Sequence, residues 1–179
     1  DVQEYAVEEI KSAVEFLEKH TGSKYDWDKL KDACEIWNAQ NRAKFEKWEY
    51  NRTDIPPHTG ATAWLYRIFE HQAVCGVKKA LDNDIKVNKL LAKQVAERKF
   101  PKTVRYRAIL WNTPCNNYAN FNNWILNCWG IDSVCEMIDI HGTEQIDTSN
   151  REDMLFGIAK MFQTSTMRAH TKGGYEVMV

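Results

Sequence analysis

The chain has almost no net charge: 24 lysines and arginines face 25 aspartates and glutamates, leaving −1. A general nucleic-acid binder carries a basic excess, so that class is set aside. No apolar run approaches the length that crosses a bilayer, and no signal peptide is visible. The five cysteines, Cys34, Cys75, Cys115, Cys128 and Cys135, include no CxxC pair. The usual zinc and ferredoxin spacings are therefore missing. The five histidines form no HxxxH or HExxH pair. GxGxxG, GxxxxGK[ST] and GxSxG are also lacking, which removes the nucleotide-fingerprint and serine-hydrolase readings. With only eight glycines and four prolines, there is no low-complexity tract and no internal repeat.

What remains is an ordinary globular composition, 44% hydrophobic and 27% charged. An odd number of irregularly spaced thiols fits free cysteines in a reducing cytoplasm. Cys34, Cys75 and Cys135 read as small core residues, and Cys115 as a thiol in a polar loop, a weak candidate for a ligand. The chain starts at Asp1 and stops at Val179, which leads us to expect an internal piece of a longer protein.

The first half is helical by period. Val2, Ala6, Ile10, Ala13, Val14 and Leu17 form one stripe, closed by Gly22. Asp26 is a good N-cap for the next helix. Leu30, Ala33, Cys34, Trp37, Asn41, Phe45 and Trp48 share a face there, with Asn41 the polar exception. Pro56-Pro57 breaks the pattern. A third helix is predicted from about Thr62, carrying Trp64, Leu65, Ile68, Phe69 and Ala73. A fourth is predicted over residues 84–98, with Ile85, Val87, Leu90, Leu91 and Val95. Residues 86–107 hold eight basic side chains and one acid, whereas residues 1–20 hold six acids and two lysines. The basic stretch reads either as a solvated face or as a surface for phosphate or an acidic partner. The two segments are candidates to face each other.

The second half changes period. Residues 107–111 read as a strand, 117–129 as a helix ended by Gly130, and 131–138 as a second strand. Strand, helix, strand makes a right-handed parallel βαβ unit. Ser149-Asn150-Arg151-Glu152 reads as a capping box that opens a last helix through Met154, Leu155, Ile158 and Phe162. Gly173-Gly174 marks a turn, and residues 175–179 lean towards a helix start. The expected fold class is α/β and helix-rich, with a Rossmann-like βαβ portion and a short parallel sheet. The expected division is a helical region at 1–100 and a partial α/β domain at 101–179.

One segment asks for a function. The first predicted strand empties into a Pro-Cys loop, and seven asparagines fall between positions 112 and 127, among Tyr118, Phe121 and Trp124. The end of a parallel strand is where ligands sit in open α/β sheets. Asparagine is poor helix material, so something besides propensity retains it. Either these amides cap turns and bond backbone, or they line a pocket. Asn112, Cys115, Asn116, Asn117 and Tyr118 are the candidate binding residues.

The order of several pieces resembles the family of 2-hydroxyacyl-CoA dehydratases and benzoyl-CoA reductases. The pieces are Leu17-Glu18-Lys19-His20-Thr21-Gly22, Trp27-Asp28-Lys29-Leu30, Asn41-Arg42, Pro56-Pro57 with Gly60, Arg107-Ala108-Ile109-Leu110-Trp111 running into Pro114-Cys115, and Trp129-Gly130-Ile131. The resemblance implies a subunit of a two-subunit enzyme with [4Fe-4S] clusters, served by a separate ATP-dependent iron-sulfur activator that injects one electron. It implies ketyl-radical dehydration of a 2-hydroxyacyl-CoA to an enoyl-CoA. Ring reduction of the benzoyl-CoA type is the alternative, and a non-catalytic binding module of similar shape is another. The cluster-ligating cysteines of the family fall in segments before and after the matched region, and none of the five here matches them. The piece alone is therefore expected to be inactive. The asparagine loop is expected to form a wall of the acyl-CoA pocket, and the basic 86–107 segment to meet coenzyme A phosphates.

Overall fold

The computed structural model describes residues 2–57, 60, 74–100, 104–110, 120–136 and 144–163. Helix α1 (Val2–Thr21) places Ala6, Val7 and Ile10 against Leu155 and Ala159. It ends where Gly22 N–H returns to Glu18 O at 3.0 Å. Helix α2 (Trp27–Tyr50) starts as its sequence directs: Asp26 Oδ1 accepts the Lys29 N–H at 3.1 Å, satisfying one of the free donors of the first turn. That N–H, together with the Lys29 side chain, holds the Asp26 carboxyl below its ordinary pKa.

Helix α3 (Lys78–Ala96) begins six residues before the expected Asp84. Val77 caps it without a side-chain bond, and Asp84 lies buried in the helix interior. The apolar phase of Leu81 extends the helix upstream, so the acid that resembles a start signal is an internal residue. Strand β1 (Tyr106–Leu110), helix α4 (Phe121–Trp129) and strand β2 (Ile131–Glu136) form the expected parallel unit. Gly130 closes α4 in the left-handed region at φ 69°, which side chains with a Cβ rarely adopt. Its carbonyl then accepts Arg105 N–H at 2.7 Å and Tyr106 N–H at 3.0 Å, so one residue stops the helix and sets the strand pairing. The register slips between Ala108 and Ile109, leaving Val134 as an extra residue on β2.

Helix α5 (Arg151–Gln163) opens with a cap one position later than expected. Asn150 Oδ1 accepts Asp153 N–H at 3.0 Å and Asn150 Nδ2 donates back to Asp153. Ser149 instead bonds Asp147, whose carboxyl is held low by the Ser149 hydroxyl and N–H. Helix α5 packs on α1 and α2, while α3 packs on α2 and α4 on β2. The first helix meets α5, with Lys11 Nζ 2.9 Å from Glu152 Oε1. In the basic stretch Lys86, Lys89, Lys93, Arg98, Lys99, Arg105 and Arg107 are exposed.

The core has an apolar side and a polar side. Cys34, Trp37, Ile146 and Met154 cluster together, with Leu30, Ile158 and Met161 against them. Asn38 ties this cluster to the segment before α5, donating to Ile146 O at 2.7 Å and accepting Ile146 N–H at 2.8 Å. The C-terminal half of α2 buries Gln40, Asn41, Lys44 and Lys47. Lys47 Nζ lies 3.5 Å from Asp84 Oδ1, both side chains less than a tenth exposed. Asn88 Nδ2 donates to Ala43 O at 2.8 Å and Glu46 Oε2 at 2.9 Å. Lys44 Nζ sits over the Trp48 ring at 5.6 Å. Gln40 accepts Gly76 N–H at 2.8 Å.

These burials revise several expected core positions. Phe45, Ile85 and Leu90 are exposed, and so are Val2, Leu17, Trp124 and Phe162. Cys75 is exposed in the turn before α3, Cys128 is exposed on α4, and Cys135 is half-buried in β2. Cys34 is the buried thiol that the helical stripe predicts. The third predicted helix, Trp111, the strand end at 137–138 and residues 164–179, with Gly173-Gly174, lie outside the described residues.

Candidate functional site

A buried polar hub joins three parts of the chain at the first half of β2. Asp132, aligned with Arg107 on β1, is 1% exposed. Its Oδ1 accepts the Gly60 N–H at 2.7 Å, and its buried Oδ2 has no hydrogen-bond partner among the described residues. The Arg107 guanidinium donates to Thr53 O at 3.1 Å, fastening the 51–57 turn to the edge of the sheet. Burial pushes the Asp132 carboxyl pKa up, and the Gly60 N–H offsets part of that rise. A carboxyl removed from water with one neutral donor favours its protonated form.

Gly60 is held on both sides of its backbone. Its carbonyl accepts from Asn122 Nδ2 at 3.4 Å. A Cβ at this position would lie 2.6 Å from Ser133 O and 2.8 Å from Ser133 Cβ. Only glycine lets the chain come that close to β2. Pro56, fully buried, stiffens the approach to it. Asn122 stands in the first turn of α4, directly after the asparagine-rich segment. The hub thus links the Pro-Pro turn, the entry to α4 and the second strand.

The candidate binding residues Asn112, Cys115, Asn116, Asn117 and Tyr118 lie outside the described residues. The hub sits at the downstream end of the same segment. Sequence reasoning assigned Gly60 to a turn, Asn122 to a run of amides and Asp132 to a strand, without joining them. A signal for Asp132 was available: strands of a parallel βαβ unit are covered on both faces and read as apolar, so a carboxylate inside one asks for a reason.

The described thiols do not suit an iron-sulfur cluster, which needs several thiolates at one point. Among the described residues no three His, Cys, Asp or Glu side chains come together to hold a metal. Cys34 is packed in the α2 core, where burial pushes its thiol pKa up and keeps it protonated. Cys115 lies outside the described residues. Among the described residues no helix is long and apolar enough to cross a membrane.

A helix-rich α/β protein with a short two-stranded parallel sheet and, among the described residues, a buried carboxyl hub is the class that fold and site define. The family model for the 2-hydroxyglutaryl-CoA dehydratase D-component matches residues 1–177. The chain belongs to that family and is a component of the 2-hydroxyacyl-CoA dehydratase type. Neither the curated proteins nor the solved structures supply a match.

Proposed function

We propose that this chain serves in the dehydration of a 2-hydroxyacyl-CoA to an enoyl-CoA, as one subunit of a cytoplasmic heterodimer. The observation that carries the reading is the family match over residues 1–177. Dehydration of such a thioester removes the α-hydroxyl and a β-proton. That proton is only weakly acidic, which is why one-electron reduction of the thioester carbonyl to a ketyl radical is part of the reading. In the full enzyme an ATP-dependent iron-sulfur activator and a [4Fe-4S] cluster would supply that electron. The described side chains do not fit that cluster, so no step is assigned to them through it.

The role of this chain's own residues is to bind and orient the thioester and to exclude water. Asn112, Asn116 and Asn117 offer amide donors and acceptors to the thioester carbonyl or the pantetheine amides. Tyr118 and Cys115 complete the wall. The exposed cations of the 86–107 stretch meet the coenzyme A phosphates. The helical region at 1–100 acts as scaffold and subunit contact, and the α/β region at 101–179 carries the substrate side.

Calorimetric titration of the intact protein tests this reading. 2-Hydroxyglutaryl-CoA is expected to bind, free 2-hydroxyglutarate is not, and Asn116→Ala is expected to weaken the thioester about tenfold. Equal failure of both ligands would remove the acyl-CoA reading.

A further inference from the structure

Helix α1 carries more apolar surface than its packing uses. Ala6, Val7 and Ile10 turn to α5, yet Tyr5 and Phe16 are 68% and 60% exposed. Helical spacing puts Tyr5, Glu8, Ser12, Glu15, Phe16 and Lys19 on one outward face, and all of them are exposed. Helix α3 shows the opposite charge. Lys79, Lys86, Leu90 and Lys93 share its outward face and are exposed as well. The acids on that side, Asp82 and Glu97, are paired with Lys78 and with Lys93 and Lys99. Neither Glu15 nor Lys86 has an ion-pair partner among the described residues. Both faces are open in the single chain, so neither covers the other.

The charges on the two helices repeat at one pitch. Glu8 and Glu15 stand about two turns apart on α1, as do Lys86 and Lys93 on α3, roughly 10 Å in each case. Laid antiparallel with Glu8 opposite Lys93, the helices set Glu15 opposite Lys86 and Lys19 opposite Asp82. Leu90 then falls between Tyr5 and Phe16. The antiparallel arrangement also brings unlike helix-dipole ends together. A net charge of −1 leaves little overall repulsion between copies.

We propose that α1 of one copy of this chain docks on α3 of a second copy through these faces. Each copy offers both faces, so the contact is heterologous and runs head to tail. Exposed ion pairs contribute little each. Tyr5, Phe16 and Leu90 therefore supply the adhesion, and the charges set register and salt dependence. The proposal is independent of the acyl-CoA reading. Arg98, Lys99, Arg105 and Arg107, past the end of α3, stay open to coenzyme A phosphates.

Sedimentation equilibrium of the intact protein tests it. The weight-average mass is expected to climb with concentration in low salt and to return to that of one chain in high salt. Glu15→Lys and Lys86→Glu are each expected to weaken self-association about tenfold. Carried together in one chain they restore it, because the pair is kept with its signs exchanged. If either single variant fails to fold by circular dichroism, Phe16→Ser takes its place and must weaken the assembly too. A wild-type protein that keeps the mass of one chain in low salt overturns the proposal; a partner of another kind on α1 would give that result. Mass growth that high salt leaves unchanged overturns it as well, and so does a double variant no better than the single ones.

Discussion

The two halves of α2 follow opposite rules. Towards α5 it buries Cys34 and Trp37 against Ile146 and Met154, with Asn38 satisfied at both ends by Ile146 backbone. Its C-terminal half buries Gln40, Asn41, Lys44 and Lys47, with Lys47 opposite Asp84 and Asn88 donating to Ala43 O. Leu90, on the same helix as Asp84 and Asn88, is 55% exposed. The apolar side gains from area removed from water, a non-directional effect that tolerates reshaping. The polar side gains little net stability, because desolvation of its charges opposes their attraction. What it supplies is directional: Lys47 opposite Asp84, and Asn88 opposite Ala43, define one sliding position of α3 along α2. We take that to be its use.

The largest expected effect attacks the polar side. Lys47→Met strips the buried Asp84 of its cation and should cost about 3–5 kcal/mol. Adding Asp84→Leu should return most of that loss, since the pair matters more for placement than for energy. Urea unfolding of the single and double variants checks this, and a double variant as weak as the single one would remove the distinction between the two sides. On the apolar side, Leu155→Ala opens a cavity between α5 and α1 and should cost about 3 kcal/mol, with no second-site polar rescue. A smaller effect is expected at the seam. Asn38→Ala orphans the Ile146 N–H and carbonyl together and should cost about 2 kcal/mol, read as a lowered urea midpoint at unchanged slope.

The subtlest effect is a pH dependence at Asp132. Burial raises its folded pKa above the unfolded value. The folded state therefore keeps the proton longer than the unfolded one. The stability this contributes is complete below the unfolded carboxylate pKa and is lost as pH rises through the raised folded pKa. Asp132→Asn removes the titration. Its melting temperature relative to wild type should climb as pH rises across that window and stay flat below it. A constant difference over the whole range would show that Asp132 does not titrate there.

Much of the fold was legible from local signals. Asp26 and Gly130 act at the positions where their chemistry is useful, and the strand–helix–strand order of β1, α4 and β2 follows from a change of hydrophobic period. Local signals misled where two candidates stood side by side. Ser149 and Asn150 both offer a cap, and Asn150 takes it because Asp153 reciprocates while Ser149 turns to Asp147. The expected start at residue 84 falls inside α3, which begins at Lys78, and Asp84 is buried there opposite Lys47. The sequence pointed to the asparagine-rich segment but not to the joining of Asp132, Gly60 and Asn122. Gly60, Asn122 and Asp132 are each unremarkable within their own ten residues.

The amino-acid sequence by itself determined where elements start and stop, since caps, left-handed glycines and hydrophobic periods act over a few residues. It also carried the family, because that signal is the order of pieces along the chain. Only the tertiary structure decided which polar groups go inside and what they hold. Burial of a charge or an amide depends on the partner that meets it, and here the partners of Lys47, Asn38 and Asp132 stand 37, 108 and 72 residues away along the chain.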